Sequence, residues 1–552
     1  MELFSSDNII APATAAGTGA IGIIRLSGAD SITIADALFY PHKNGLKRGR
    51  TATLRQTDSY RLRYGTIREA AKGGESRVLD DVMIAVFRAP HSYTGENCVE
   101  IYCHASQYIM NKLIILFIKK AEELLKAKKI SGSLRMAAPG EFTQLAFING
   151  KMDLAQAEAV ADLIASETEA AHDVAMNQMR GGYSKELREM RERLLNLASL
   201  MELELDFSEE DVEFADRNKL SDLLEAIESK ISGLIDSFAY GNAIKNGIPV
   251  AIVGAVNTGK STLLNALAGE ERAIVSDIQG TTRDTIEDVV NINGHTFRFI
   301  DTAGIRNATE TIEILGIERT YQKLKEASVV ILMLDCARKE NFRESIASIA
   351  SKIDTKRQKL IVVANKSDVL QKDSATESTE FKNVNSKAVY SETLHKEKNA
   401  GKIVENDYDR SKTNRISEAS ENTANIKAAV TTELSEICKA MKLRAVDALC
   451  VSLATDKENA VEALKKSLIK YGDNFSKNIG SSTLVTNARH YQALIAANRS
   501  LEKVGEGLRS HTPTDLVAQD IRDAISDLGS IIGEISSQDV LNNIFSKFCI
   551  GK

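Results

Sequence analysis

GAVNTGKS (residues 254–261), GTTRD (280–284), DTAG (301–304) and NKSD (365–368) follow one another in this order along the chain. Their reading decides the fold of the region that holds them. The first fits GxxxxGK[ST], follows the apolar run 248–253 and precedes a helical stretch, 261–268, so it reads as strand, phosphate loop, helix. Backbone amides of such a loop and of a helix N-terminus can surround a phosphate. Lys260 can then reach the β and γ phosphates, and the Ser261 hydroxyl can ligate magnesium. DTAG ends a second apolar run, 296–300, which puts Asp301 where an aspartate holds the magnesium through water.

NKSD follows a third strand-like run, 360–364, and so stands at a strand's carboxyl end, where open α/β sheets bind ligands. Asp368 can accept two hydrogen bonds from guanine's ring N–H and exocyclic amine, a pattern adenine does not offer. Asn365 can brace the loop and the stem of Lys366 can cover the base. A buried site built for that pattern rejects ATP. Together the motifs imply a GTP hydrolase. The nucleotide-binding set is expected to be Asn257, Thr258, Gly259, Lys260, Ser261 and Thr262; Ser276, Asp277, Ile278, Gln279, Gly280, Thr281 and Thr282; Asp301, Thr302, Ala303 and Gly304; Asn365, Lys366, Ser367 and Asp368. Ser452, Leu453 and Ala454, read as ending a last strand at 449–453, resemble the short loop that touches the guanine oxygen in such GTPases.

Length sets a frame of three or four domains for the 552 residues, and a hydrophobic content of 43 % suffices for packed cores. A net charge of −6 gives no global basic field for nucleic acid. Any RNA contact is therefore a local patch or comes through a partner. The cysteines at 98, 103, 336, 438, 450 and 549 lack paired metal spacing, which predicts free thiols in a reducing compartment, the cytoplasm. The amino end has no basic segment followed by an apolar core, and the greasiest helix candidate, 108–125, is broken by Lys112, Lys119 and Lys120. Neither a signal peptide nor a membrane span is expected.

The texture of the chain divides it. Residues 1–149 mix β-type runs at 21–26, 82–87 and 98–103 with one clear helix, an α+β pattern. Residues 150–245 become helical, with Leu154, Ala157, Ala161 and Ile164, then Leu187, Leu194, Leu197 and Leu200, recurring at threes, fours and sevens. Gly181 and Gly182 break the pattern, and a further helix, 220–238, leads to Asn246 and Gly247. Residues 246–475 carry strands at 248–253, 286–292, 296–300, 329–334, 360–364 and 449–453. Asn293 and Gly294 make a hairpin turn signal, so a mixed six-stranded sheet with one antiparallel edge strand is expected. The polar tract at about 371–425 has too few large apolar residues to offset its ordering and reads as a mobile surface insertion. Helical pattern returns over 476–552.

Two residues shape the expected mechanism. Where many small GTPases place a water-orienting glutamine after DTAG, this chain has Ile305, so another group must orient the water. Asn257 stands inside the phosphate loop; its side-chain oxygen either binds a monovalent cation beside the phosphates or ties the loop. Such a cation would stabilise the transition state electrostatically, as an arginine finger does elsewhere.

GAVNTGKS with GTTRD, IGIIRLSG (21–28), PHSYTGENCVEIYCH (90–104), PGEFTQLAFINGKMDLAQAEAVADLI (139–164) and the terminal FSKFCIGK (545–552) together resemble the MnmE (TrmE) family of tRNA-modification GTPases. The resemblance spans essentially the whole chain except the polar tract. It implies a multidomain α/β architecture: a folate-binding, dimerising amino-terminal domain, a discontinuous helical domain, and a Ras-like P-loop GTPase domain inserted into it. It implies a homodimer that works with an MnmG-type FAD protein, in a heterotetramer or larger complex, on the wobble uridine of certain tRNAs. An aminomethyl or carboxymethylaminomethyl group is added at carbon 5, with a 5-formyl- or methylene-tetrahydrofolate as cofactor.

By the same resemblance, potassium is held by Asn257, Ser276, Ile278 and Thr281, and magnesium by Ser261 and Thr282. Glu313, twelve positions after Asp301, orients the water, and Arg306 matches a switch arginine; without the resemblance Glu313 reads as a solvated acid. Folate falls to Arg25, Glu100, Lys151 and Lys552, with cations for its carboxylates and Glu100 for its amino-pyrimidine edge. Cys549 is implied in the chemistry, although a lone cysteine between Phe548 and Ile550 is otherwise a small packed residue. Leu145 departs from the family, which commonly has a basic residue there. Two other classes share parts of the pattern: a ribosome-assembly GTPase switch has a similar nucleotide domain, and a membrane-remodelling helical GTPase lacks the folate-type segments and the FCIGK tail.

Overall fold

The structure is a computed structural model that describes residues 7–42, 53–70, 76–206, 217–270, 288–300, 324–354, 358–370, 424–443, 446–477, 483–510, 512–535, 538–546 and 548–551. The chain divides into two compact units, one of residues 1–167, 171–237 and 483–552, the other of 168–170 and 238–482.

The first unit opens with a seven-stranded sheet of β1 (Asn8–Pro12), β2 (Gly22–Ser27), β3 (Phe39–Pro41), β4 (Arg61–Ala70), β5 (Ser76–Phe87), β6 (Cys98–Cys103) and β7 (Leu134–Met136). Their order is β3-β4-β5-β6-β2-β1-β7. All pairs are antiparallel except β1 with β7. The period of two sends Ile24, Leu26, Ile84, Val86, Val99 and Ile101 to one face, where they pack with Leu113, Phe117 and Ala121 of the helix Gln107–Lys126. Arg25 and Glu100, one residue out of phase and directly opposite each other across β2 and β6, belong to the other face. The helix Gln107–Lys126 is the greasy stretch of the sequence, and no helix among the described residues is long and apolar enough to cross a membrane.

The same unit holds the helices Leu154–Ala165, Glu169–Met179, Gly182–Asp206, Ala488–Ser510, Thr514–Ile532 and Gln538–Phe545. Gly181, at φ +83°, makes the break between the second and third, a left-handed position that suits glycine. Asp153 starts the first with a capping box, accepting from the Gln156 amide while the Gln156 side chain accepts from the Asp153 amide. Segments far apart in sequence are then clasped by one buried carboxylate. Glu158, 9 % exposed, accepts from Arg489 Nε and Nη2 at 3.1 Å each and meets His490 Nε2 at 2.6 Å. Arg489 also donates to the carbonyls of Ser530 and Ile531, so three helices share a single charge network.

The second unit is entered through the helix Arg217–Asn246, longer than the expected 220–238, and Gly247 at φ +86°. Its strands are β8 (Ile248–Gly254), β9 (Asp288–Ile292), β10 (His295–Ile300), β11 (Val329–Asp335), β12 (Lys359–Asn365) and β13 (Val446–Cys450), ordered β13-β12-β11-β8-β10-β9. Every pair is parallel except β9 with β10, joined through Asn293 and Gly294 at φ 52° and 81°, which is the backbone of a primed hairpin turn. Near-continuous apolar runs such as Val329–Leu334 are buried on both faces, as parallel strands between helices require. The last strand corrects the expectation of 449–453. It runs over 446–450, because the next residues leave the ladder to bond the loop after β12. Of the polar tract, residues 371–423 lie outside the described residues, and 424–425 already belong to a helix over 424–440.

Burial opposes ionisation of Glu158, but His490 and Arg489 outweigh it and lower its carboxyl from 4.5 to about 2. A folded-state value below the unfolded one adds stability above pH 4.5 that is lost as pH falls toward 2, about 3 kcal/mol in all. Glu158→Gln is expected to lower the melting temperature of the full chain at pH 7. It should also flatten the fall in melting temperature between about pH 5 and pH 3. A variant that melts like the parent at both would show that the clasp contributes nothing.

Candidate functional site

The parallel strands bring Gly254, Asp335, Asn365 and Cys450 to one edge of the second sheet, since Met333 registers with Gly254, Asp335 with Asn365, and Ala364 with Cys450. This is the carboxyl edge, where the loops of a parallel sheet converge. From β8 the chain makes a tight loop with Gly254 at φ +149°, Asn257 at +63° and Gly259 at +101°, then enters the helix Lys260–Glu270. Gly254 lies so close to the Met333 carbonyl that a Cβ there would collide with it. The first amides of that helix point at the loop and form an anion-binding end. Lys260 Nζ donates to the carbonyls of Gly254 and Ala255 at 2.8 and 2.7 Å, and burial pushes its ammonium below the ordinary lysine range. Ser261 and Thr262 follow in the first turn.

Asn365 ties this loop to the other two. Only 4 % exposed, it donates from Nδ2 to the Thr258 carbonyl at 2.9 Å, and its Oδ1 accepts from the Leu453 amide at 3.0 Å. Gly259 passes so near Nδ2 that a Cβ would collide with it. Asp368 is oriented from the same direction: Ser452 Oγ, almost fully buried, donates to Asp368 Oδ1 at 2.6 Å, and Thr455 contacts that hydroxyl at 2.8 Å. The buried Ser367 donates its amide to the Val451 carbonyl, and the Val451 amide returns to Ala364. Lys366, at φ +65°, reaches Asp335 Oδ2 at 2.7 Å. Burial opposes the Asp335 charge, but Lys366 and the Ala337 amide hold its carboxyl below the usual range.

The structure therefore gathers Asn257, Thr258, Gly259, Lys260 and Ser261 with Asn365, Lys366, Ser367, Asp368 and Ser452, Leu453 and Ala454 at one edge. Residues 276–282, 301–306 and Glu313 lie outside the described residues. The oxygen donors in place, the Ser261 hydroxyl and the exposed Asn257 amide, suit hard cations such as magnesium and potassium. Two participants had no sequence signal. Asp335 is a strand-end acid until Lys366 is seen on it, and Thr455 acts only through Ser452.

A second constellation forms in the first unit. Arg25 donates to Glu100 Oε1 from Nε and Nη2 at 3.0 and 2.8 Å, and from Nη1 to the Gly551 carbonyl at 3.4 Å. Its guanidinium lies 5.3 Å from the Tyr93 ring centroid and 5.6 Å from that of Phe142, and Tyr102 donates to Glu100 Oε2 at 3.0 Å. The terminal FCIGK segment is held there. Phe548 and Phe545 pack with Leu154 and Ala157, the Gly140 amide donates to the Cys549 carbonyl, and Gly551 at φ +97° lies against Pro12, leaving no room for a Cβ. Arg25 and Glu100 thus form one paired centre, with cation and acid side by side. Lys151 Nζ donates to the Pro90 carbonyl at 3.1 Å, the Cys549 residue is exposed, and Lys552 lies outside the described residues. The Arg25 guanidinium is thus flanked by two aromatic rings, a cation–π setting, while its N–H groups donate to Glu100 and Gly551. All six cysteines are free thiols.

The GTP-binding protein TrmE N-terminus family matches residues 8–151, and the MnmE helical domain family matches residues 154–549. A Bacteroides thetaiotaomicron protein named tRNA modification GTPase MnmE is 44 % identical, over 99 % of this chain and 100 % of its own. A Flavobacterium johnsoniae protein of the same name is 41 % identical over 100 % of both chains. Among solved structures, the G domain of a T. maritima FeoB iron transporter aligns with 41 % of this chain and 98 % of its own, at 18 % identity and a TM-score of 0.22. The phosphate loop and its Asn365 joint, the Arg25–Glu100 centre and the docked tail thus occur in a chain that belongs to the MnmE (TrmE) family along its full length.

Proposed function

We propose that this chain hydrolyses GTP in the service of tRNA modification. The observation that carries the reading is Asn365, whose one amide joins the phosphate loop at Thr258 to the base-side loop at Leu453, while Ser452 of that same loop holds Asp368. Such a joint makes sense where one molecule carries both a phosphate chain and a base. Asp368, with one oxygen on Ser452, keeps acceptor capacity for guanine's two N–H groups. Lys260 leaves the Gly254 and Ala255 carbonyls for the β and γ phosphates. Ser261 with Thr282 holds magnesium, and Asn257 with Ser276, Ile278 and Thr281 holds potassium. When bound, the two cations supply positive charge against the phosphate oxygens as charge shifts in the transition state. Glu313 orients the attacking water in place of the glutamine that Ile305 replaces.

The first unit carries the modification side of the reading. Arg25, Glu100, Lys151 and Lys552 bind a 5-formyl- or methylene-tetrahydrofolate, with Cys549 beside them, and Leu145 leaves that pocket without the basic residue usual in the family. The chain forms a homodimer and works with an MnmG-type protein that brings FAD. The pair places an aminomethyl or carboxymethylaminomethyl group on carbon 5 of the wobble uridine of certain tRNAs in the cytoplasm. The domain division at 1–149, 150–245, 246–475 and 476–552 belongs to the same reading.

GTP turnover is expected to rise at least tenfold when potassium replaces sodium, about 1.4 kcal/mol off the barrier, and Asn257→Ala should remove that response. Equal rates of the parent protein in the two salts would refute the cation role. In tRNA from a strain lacking this chain, mass spectrometry should find wobble uridines without the carbon-5 group. An unchanged nucleoside profile would refute the tRNA role and favour the ribosome-assembly switch.

A further inference from the structure

Asp335 belongs to no motif, yet it holds the one cation of NKSD: Lys366 Nζ donates to Asp335 Oδ2 at 2.7 Å. The acid is a fixed anchor. Its Oδ1 accepts from the Ala337 amide at 3.0 Å and caps the short helix Cys336–Asn341, so the backbone sets the place of the carboxylate. The lysine is fixed at its other end. Its φ of +65° is a left-handed conformation that residues with side chains rarely adopt, and the bonds on either side maintain it. The Ser367 amide donates to the Val451 carbonyl, and the Val369 amide donates to the Lys366 carbonyl, both at 3.1 Å. The ion pair is sheltered on the acid's side, with side-chain exposures of 16 % for Asp335 and 37 % for Lys366. Sheet order places β11 between β12 and β8, and Asp335 registers with Asn365. With its backbone just past β12 and its ammonium at the end of β11, Lys366 lays its stem along the carboxyl edge toward β8, the strand that leads into the phosphate loop. Ser452, which holds Asp368, comes from the opposite flank, after β13.

We propose that Asp335 is a positioning residue for nucleotide binding, which anchors the Lys366 ammonium so that the aliphatic stem stands ready as a wall against the face of the base; the inference rests on the guanine reading of Asp368. A lysine stem free in solvent carries large rotamer entropy. Ordering it when the nucleotide arrives would weaken binding, whereas a stem already anchored has little left to lose. The sign of the effect separates this role from simple charge. Nucleotide phosphates are anionic, so an acid at this edge repels them, and on charge alone its removal strengthens binding. Positioning predicts the reverse.

The test measures the affinity of the full-length protein for GDP and for inosine diphosphate, by competition against a fluorescent GDP. Asp335→Asn keeps an oxygen for the Ala337 amide and loses the charge. It is expected to weaken GDP about fivefold, the effect of one long side chain left to be ordered on binding. Inosine diphosphate should weaken by the same factor, because the two bases share the face that the stem covers and differ in the amine that Asp368 reads. A merely structural loosening of the loops would instead erode the preference for GDP over inosine diphosphate. Lys366→Met, a stem with no ammonium to anchor, should weaken GDP to a similar degree, and adding Asp335→Asn to it should weaken GDP no further. Unchanged or tighter GDP binding by Asp335→Asn would overturn the proposal, as would additive losses in the double variant. Should Asp335→Asn fold poorly, full GDP affinity in Lys366→Met overturns it independently. A parent protein that binds GDP no better than inosine diphosphate would sink the guanine reading and the proposal with it. A parent that prefers GDP, beside an Asp335→Asn variant of equal affinity, would sink the proposal alone.

Discussion

The second unit depends on the side-chain amide of Asn365. Its Nδ2 and Oδ1 are both bonded, to Thr258 and to the Leu453 amide, at a position almost closed to water. A buried amide with both ends satisfied fixes the spacing of the loops it joins, because losing either partner leaves a polar group unpaired at a cost of about 1–3 kcal/mol. Three loops that arise from β8, β12 and β13 are set by this one group. The close approach demanded of Gly259 and the departure of residues 451–453 from the strand ladder both follow from it.

The first unit has a counterpart in Arg25. Its guanidinium pairs with Glu100 across two strands, lies near the Tyr93 and Phe142 rings, and donates to Gly551 at the far end of the chain. Glu158 does similar work among the helices by gathering Arg489 and His490. In each case a charged side chain draws together segments separated by hundreds of residues. Burying such a charge is tolerable only when its partners are complete. These contacts therefore dictate how the two ends of the chain meet.

Much of this was legible in advance because it rests on local rules. The glycine loop between an apolar run and a helix, the Asn293-Gly294 turn and the period-two strands of the amino-terminal sheet each carry their own signature. The extent of β13 was not legible. Val451 and Leu453 are as apolar as strand residues, and only the bonds of the Val451 carbonyl to Ser367 and of the Leu453 amide to the Asn365 side chain show that the strand has ended. Pairings across long sequence separations are equally hidden: nothing around Asp335 announces Lys366, and the sequence offers Arg25 and Glu100 as separate ligand contacts, whereas sheet register puts them on each other. The switch residues, including Glu313, rest on the family resemblance and lie outside the described residues.

In the proposed function the edge of the second sheet reads a guanine base through Asp368, set in place by Ser452. The most direct measurement is the nucleotide preference of Asp368→Asn. An asparagine offers one acceptor and one donor where the aspartate offers two acceptors, which matches the oxygen that xanthine carries in place of guanine's amine. The variant is expected to lose affinity for GTP and gain it for XTP. Retention of full GTP affinity, or equal loss of both nucleotides in a folded protein, would contradict it.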